Sequence, residues 1–302
     1  MTRLFGDPKG AKLLAEIRAV LEKKDVFHTR APHLVFVCGG PTDGSTRTMR
    51  EPFLRWAKQH LPDVRTLLAE QAFRQALFHD PPEFVNLATF EKLIAEIADC
   101  VIVFPESVGA YAEVGYFSAV GAIRKKTLVV NDFQYQAKES FANLGPIATI
   151  NDHSLFRDTI LIDPRTGQCD FSPVQERLSR MVQSEHRRRF AYGPYNKISY
   201  GDRFRVLLEL VKIFGTIDLR GIRDAVAVLF QQGVRKDLKL LLSILMAADL
   251  IGRKDEFIFP STRDVRLLEF DNVDIAALSA RAREYYQTRF PAAFKRLQHL
   301  LP

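Results

Sequence analysis

The sequence predicts an α/β protein, with a parallel-sheet, Rossmann-like domain followed by a mainly helical winged helix-turn-helix domain. Three observations lead there. Short β-branched runs alternate with amphipathic helical patterns between Leu34 and Ile162. Two of those runs, 34–38 and 100–104, end in small-residue turns that open the next helix. Beyond Arg187 the strands give way to successive helices.

Residues 8–25 carry Leu13, Leu14, Ile17, Val20 and Leu21 at helical spacing among lysines and glutamates, an entry helix assigned to the first domain. The run 34–38 stops at Gly39, Gly40 and Pro41, and a polar loop over 42–46 leads to a helix over 48–60. Glycine at such a turn lets the backbone approach a ligand closely. A short strand is expected at 64–68, with Glu70 just past its end. Residues 71–82 show no firm period and suit a lid or wall. A helix over 87–98, with Leu87, Phe90, Ile94 and Ile97 on one face, then delivers the chain into the strand 100–104. Past Pro105 a helix is expected over 111–124, then a strand at 127–130. Gly145 and Pro146 read as a breaker, followed by strands at 148–150 and 159–162 and a helix over 174–186.

The basic cluster Arg187, Arg188, Arg189 and the turn residues after it place the domain boundary between 184 and 199, giving domains 1–186 and 187–302. Helical patterns over 203–214, 219–230 and 235–250 precede a hairpin over 251–259, the order of a winged helix-turn-helix. There Arg235, Lys236 and Lys239 would enter a groove and Arg253 and Lys254 would form the wing tip. Protein docking uses the same layout, and both readings stay open. A last helix over 275–301 would pack on the body or join copies of the chain.

At 302 residues the chain can bury two cores, and 47% apolar with 26% charged residues excludes wholesale disorder. Cys38, Cys100 and Cys169 lie too far apart for a metal-binding spacing and read as buried, reduced side chains. No leader pattern opens the chain and no apolar run approaches about 18 residues, so a cytoplasmic protein with no membrane partner is expected. The net charge of +7 is uneven. Residues 1–185 hold 22 Lys/Arg against 23 Asp/Glu, leaving 21 against 13 for 186–302. A near-neutral body joined to a basic module suits an anionic partner, nucleic acid above all.

In an open parallel sheet ligands bind beyond the carboxyl ends of the strands, which puts Glu106 and Glu113 at a crevice with Glu70 and Asp99 nearby. The plainer alternative is that Glu106 caps the helix and Glu113 solvates its first turn. One positioned carboxylate can attack, or shield, the oxocarbenium-like carbon of a breaking glycosidic bond while a second acid manages a proton. Gly39, Gly40 and Arg50 would hold the base or phosphate side of a nucleotide. A reading of another class is a nucleotide-sensing, DNA-binding regulator that binds without cutting.

Phe-x-Cys-Gly-Gly at 36–40, Phe-Pro-Glu-Ser-x-Gly at 104–109, Glu-x-Gly-x-Phe-Ser at 113–118 and Ser-Phe-x-Asn-x-Gly-Pro at 140–146 together resemble the effector proteins of type II retrons. Those proteins look like a nucleoside 2-deoxyribosyltransferase-type domain followed by a winged helix. By that resemblance Glu113 matches the glutamate nucleophile of the deoxyribosyltransferases, and Glu106 and Ser107 match a loop carrying another acid. Cys38, Gly109 and Asn143 fall inside the motifs and would line the substrate. The resemblance implies N-glycosidic cleavage of a nucleotide, NAD+ being a substrate and not a cofactor, as the toxic output of anti-phage defence. It also implies an oligomer held in check by a reverse transcriptase and its single-stranded DNA joined to RNA.

Overall fold

The computed structural model describes residues 5–29, 33–41, 48–79, 86–136, 139–166, 169–182, 187–231, 237–261, 265–292 and 295. In chain order the elements begin α1 (Pro8–Glu22), β1 (Val26–His28), β2 (His33–Cys38), α2 (Arg50–His60), β3 (Val64–Leu67), α3 (Ala69–His79), α4 (Leu87–Ile97) and β4 (Cys100–Val103). They continue with α5 (Val108–Ala119), α6 (Gly121–Arg124), β5 (Thr127–Asp132), α7 (Ala148–His153), β6 (Ile160–Ile162) and α8 (Ser172–Val182). The remainder is α9 (Tyr200–Phe214), β7 (Ile217–Asp218), α10 (Leu219–Leu229), α11 (Asp237–Ala247), β8 (Ile251–Lys254), β9 (Phe257–Pro260), β10 (Leu268–Phe270) and α12 (Ile275–Arg289). Contacts divide the described residues into two units, one within 30–71 and 85–185, the other within 1–29, 72–84 and 186–302.

The first unit is an all-parallel five-stranded sheet in the order β3-β2-β4-β5-β6. Its first strand, β2, is flanked by its second and third, so the chain reverses its direction of winding between β2 and β4, the place where doubly wound sheets open a crevice. Alternation along β2 sends Val35 and Val37 to a core with Phe53 and Ala57 of α2, Phe104, Phe171 and Val174. Phe53 meets Phe104 at 5.4 Å and Phe171 at 5.3 Å between ring centroids. Phe36, on the opposite face, meets Phe117 of α5 at 6.2 Å. Cys100 to Val103 are buried throughout, as a central strand covered on both faces requires.

Several local expectations change. Residues up to His79 continue as α3, while 80–85 lie outside the described residues, as does the polar loop 42–47. The helix after Pro105 starts earlier, at Val108, where the Ser107 hydroxyl caps Ala110 N–H at 3.1 Å, and it breaks at Val120 into α5 and α6. The expected strand at 148–150 is helical. Asn143–Ile147 form a π-helical turn around Pro146 that runs into α7, and the wide turn accommodates a residue without an N–H. Leu87 is 52% exposed, while Phe90, Leu93, Ile94, Ala95 and Ile97 form the buried face of α4. The third cysteine, Cys169, is half-buried, while Cys38 and Cys100 are buried.

The second unit centres on α9, where residues 201–214 are buried. Its charged side chains are matched: Arg203 Nη1 donates to Asp237 at 2.7 Å, Lys212 to Val265 O, and Glu209 accepts Leu267 N–H at 3.3 Å. A three-stranded antiparallel sheet, β7-β9-β8, adds one strand to the expected hairpin. The entry helix α1 belongs to this unit and not to the sheet unit. It buries Leu13, Leu14, Ile17 and Leu21 and packs on α10 and α12, and β1 pairs with β10. Amphipathicity fixed which face of α1 is buried and was silent on its partner. The last helix is described to Arg289.

Gly215 ends α9 at φ +72°, and a Cβ there would sit 2.9 Å from Arg283 Nε. Gly215→Ala is therefore expected to cost about 1–2 kcal/mol, read as a lower midpoint in scanning calorimetry. No described helix is long and apolar enough to cross a membrane.

Candidate functional site

The carboxyl ends of β2 and β4 bring together residues from five elements: Cys38 (β2), Arg50 (α2), Glu70 (α3), Glu91 (α4) and Glu113 (α5). Two periodicities explain the pairing of the first and last. Cys38 lies two residues past Phe36 on the same face of β2, and Glu113 lies one helical turn before Phe117 on the same face of α5. The packing of Phe36 on Phe117 thus sets the thiol against the carboxylate. Cys38 is 2% exposed, and Glu113 Oε2 is buried without a hydrogen-bond partner.

Arg50 opens α2 and is itself 6% exposed. Its Nη1 donates to Gly40 O at 3.2 Å and its Nη2 to both oxygens of Glu70, at 2.8 and 3.0 Å. Gly39 makes room for this: a Cβ would lie 3.0 Å from Arg50 Cδ and 3.1 Å from Phe104 Cβ. At Gly40 a Cβ would come within 2.6 Å of Thr48 Cγ2. Both glycines therefore serve the close packing of the loop on α2.

Glu106 is fully engaged. Its Oε1 accepts N–H groups of Gly40 (3.3 Å) and Arg50 (3.1 Å), and its Oε2 that of Met49 (2.7 Å). It caps α2 from β4's loop, which satisfies amides that the helix leaves open. Burial lifts its pKa, with the three amides and Arg50 opposing. With three backbone donors on its two oxygens it holds the loop against the start of α2. Glu106→Gln would turn an NH2 toward one of those amides. It should cost about 1–3 kcal/mol, measured by chemical denaturation.

Burial, the Glu91 carboxylate and Glu70 push Glu113 up to about 8, against the pull of Arg50 and of the Cys38 thiol. Glu91 is raised as well, by burial first and then by Glu70. Burial raises the Cys38 thiol well above its ordinary value, and Glu113 adds to the effect, so the thiol keeps its proton. Such opposed surroundings recur at functional sites and in structural ion-pair networks.

Of the residues expected at the site, Cys38, Gly39, Gly40, Arg50, Glu70, Glu106 and Glu113 converge. Ser107 caps α5, and Gly109 lies exposed in its first turn. Asn143 Nδ2 donates to Tyr135 O at 2.9 Å, bracing the segment after β5. Asp99 is misplaced by the sequence reading. It precedes β4, accepts Leu34 N–H at 2.9 Å, and so sits at the amino edge of the sheet, a four-residue strand or roughly 13 Å from the site. Glu91 was missed. Its only sequence signal is an acid whose i+3 and i+4 neighbours, Ile94 and Ala95, are apolar and buried. In the second unit Lys239 is exposed on α11, and Arg253 Nε donates to Asp255 O at 2.8 Å beside exposed Lys254 at the hairpin tip. Arg235 and Lys236 lie outside the described residues. No group of three or more His, Cys, Asp or Glu fit to hold a metal ion occurs among the described residues.

A family model described as "STM3845 retron effector protein" matches residues 46–253. Two Escherichia coli proteins are similar over much of their length. The "Retron Ec86 putative ribosyltransferase/DNA-binding protein" is 33% identical over 233 residues, 73% of this chain and 71% of the relative. The "Retron Ec73 putative ribosyltransferase/DNA-binding protein" is 24% identical over 234 residues, 72% of this chain and 74% of the relative.

Proposed function

The chain belongs to the retron effector family, and from that premise we propose that its parallel-sheet unit cleaves the N-glycosidic bond of a nucleotide, with NAD+ as the substrate. The observation that carries this reading is Glu113, a half-buried carboxylate at the winding reversal of the sheet, with a buried oxygen left without a hydrogen-bond partner. Both relatives' names include ribosyltransferase, which agrees with chemistry at a ribosyl carbon.

Glu113 attacks, or shields, C1′ of the nicotinamide ribose. The C1′–N bond breaks with its electron pair moving into the pyridinium ring, so nicotinamide departs neutral and needs no proton donor. Water then adds to C1′ and gives up its proton to solvent, displacing the carboxylate where it has bonded to C1′, with ADP-ribose as product. Full engagement of Glu106 agrees with a leaving group that requires no acid. Arg50 and Glu70 hold the floor of the site, Gly39 and Gly40 shape its wall, and Ser107 with Gly109 opens a helix N-terminus to the phosphates.

The second unit supplies the contact to the rest of the system. The order α9, β7, α10, α11, β8, β9 supports a winged helix, and Lys239, Arg253 and Lys254, with Arg235 and Lys236, would meet the reverse-transcribed DNA–RNA or the reverse transcriptase that restrains the toxin in the cytoplasm. Cells making the chain without the reverse transcriptase should lose NAD+ and stop growing, and cells making Glu113→Gln should do neither. Undiminished NAD+ loss with the variant overturns the role given to Glu113.

A further inference from the structure

We propose that two copies of this chain associate through the exposed face of α5, the two helices running antiparallel about a twofold axis.

α5 is apolar on two faces. Ala110, Val114, Phe117 and Ser118 turn into the sheet unit and are buried. A second seam, Val108, Tyr111, Ala112, Gly115, Tyr116 and Ala119, follows the i, i+3, i+4, i+7, i+8, i+11 spacing of a packed helix face. That seam faces solvent: Val108 is 90% exposed, Tyr116 39% and Tyr111 38%, Ala112 and Ala119 are exposed, and Gly115 is half-buried. A surface helix ordinarily carries its charges on such a face, and this one carries none, since Glu113, the one charged residue of α5, lies outside the seam. The apolar surface continues onto the turn 143–147, which packs on α5 and holds Leu144 69% exposed, three residues after Phe141 at 88%. A contiguous apolar patch of this kind marks an interaction surface.

Gly115 is a separate sign of a close neighbour. Glycine is a poor helix former, and in mid-helix it serves where another backbone must come near. A Cβ at Gly115 would meet no neighbouring element within 4 Å. Nothing in the described fold needs the glycine, so the approach it permits is to something outside the chain.

The order of residues along the seam identifies that neighbour as a second copy. Positions 108 and 119, 111 and 116, and 112 and 115 are equidistant from the midpoint of α5. A second α5 turned end for end therefore sets Ala119 against Val108, Tyr116 against Tyr111 and Gly115 against Ala112. Apolar, tyrosine, small is the order from either end, which is the self-complementarity that an isologous interface requires. The small central pair lets the helix axes approach to about 8 Å. A nucleic acid would find no cation on this face.

Sedimentation velocity of the full chain over a concentration series tests this. The parent should sediment as a dimer or a larger even-numbered assembly, and Ala112→Glu, which sets like charges across the axis, should halve its mass. Ala112 is exposed, so the calorimetric midpoint of the variant should match the parent's. Ala112→Cys should form a disulfide-linked dimer on mild oxidation, because the twofold axis brings its two α-carbons within about 7 Å, whereas Glu176→Cys, exposed on α8, should not. The linkage needs no charged side chain, and it distinguishes a second copy from any other occupant of the seam. A monomeric parent, a parent mass that Ala112→Glu leaves unchanged, or an Ala112→Cys protein that stays unlinked overturns the proposal. Every readout is assembly and none is catalysis, so the outcome is independent of whether NAD+ is cleaved.

Discussion

Glu113→Gln is expected to lower NAD+ cleavage by about three orders of magnitude or more, and to leave a protein more stable than its parent at alkaline pH. The first effect follows from removing the reacting oxygen while keeping size and shape. The second follows from proton linkage. Burial and the neighbouring carboxylates raise Glu113 from the ordinary 4.5 to about 8 in the folded protein. The folded state therefore holds this proton more tightly than the unfolded chain does. The stabilisation is complete below pH 4.5 and is lost as pH rises through 8, where the carboxylate must ionise inside the site. Glutamine has no proton to lose. The stability gap between variant and parent should widen from pH 5 to pH 9, with a ceiling of about 5 kcal/mol at about 1.4 kcal/mol per pH unit. Denaturation series at the two pH values measure it. Catalysis should show the same midpoint with the opposite sense, since the carboxylate is the active form: turnover rises between pH 7 and 9. Residues that react in place of packing commonly carry this kind of cost to stability.

Arg50→Met is expected to be among the most destabilising single changes in the sheet unit, by about 3–5 kcal/mol in chemical denaturation at pH 7. Arg50 bonds Gly40 O and both oxygens of Glu70, and its charge also favours the ionised forms of Glu91 and Glu113. Methionine fills much of the volume and supplies none of those bonds. The loss should shrink toward pH 5, because the orphaned carboxylates can then take up protons. Arg50→Lys should recover only part of the loss, since a single ammonium cannot reproduce a planar fork that reaches Glu70 with one nitrogen and Gly40 O with another.

Glu113 and Arg50 could both be found in the sequence, because each opens or follows a strand-loop-helix junction whose apolar rhythm is plain. The strands β2, β4, β5 and β6 were legible for the same reason. Glu91 was not, since an acid on an amphipathic helix has the appearance of a solvated residue until the partner of that helix is known. Asp99 adjoins a strand, and adjacency in sequence does not reveal which edge of the sheet is meant until the register of β2 on β4 is fixed. Glu106 was recognised as an acid at the crevice, but its three donors come from residues 56 to 66 positions away, beyond any local pattern. The helix across Gly145 and Pro146 defeated a local rule because a π-helical turn absorbs the proline. The placement of α1 with the C-terminal unit is a tertiary fact of the same kind.

The central claim is that Glu113 cleaves a glycosidic bond to nicotinamide, and the direct test is to incubate the purified full-length protein with NAD+ and follow free nicotinamide by chromatography across pH 6 to 9. Release that rises through about pH 8 in the parent and is absent from Glu113→Gln is the predicted result. Release at equal rates from parent and variant, or intact NAD+ with both, would contradict it.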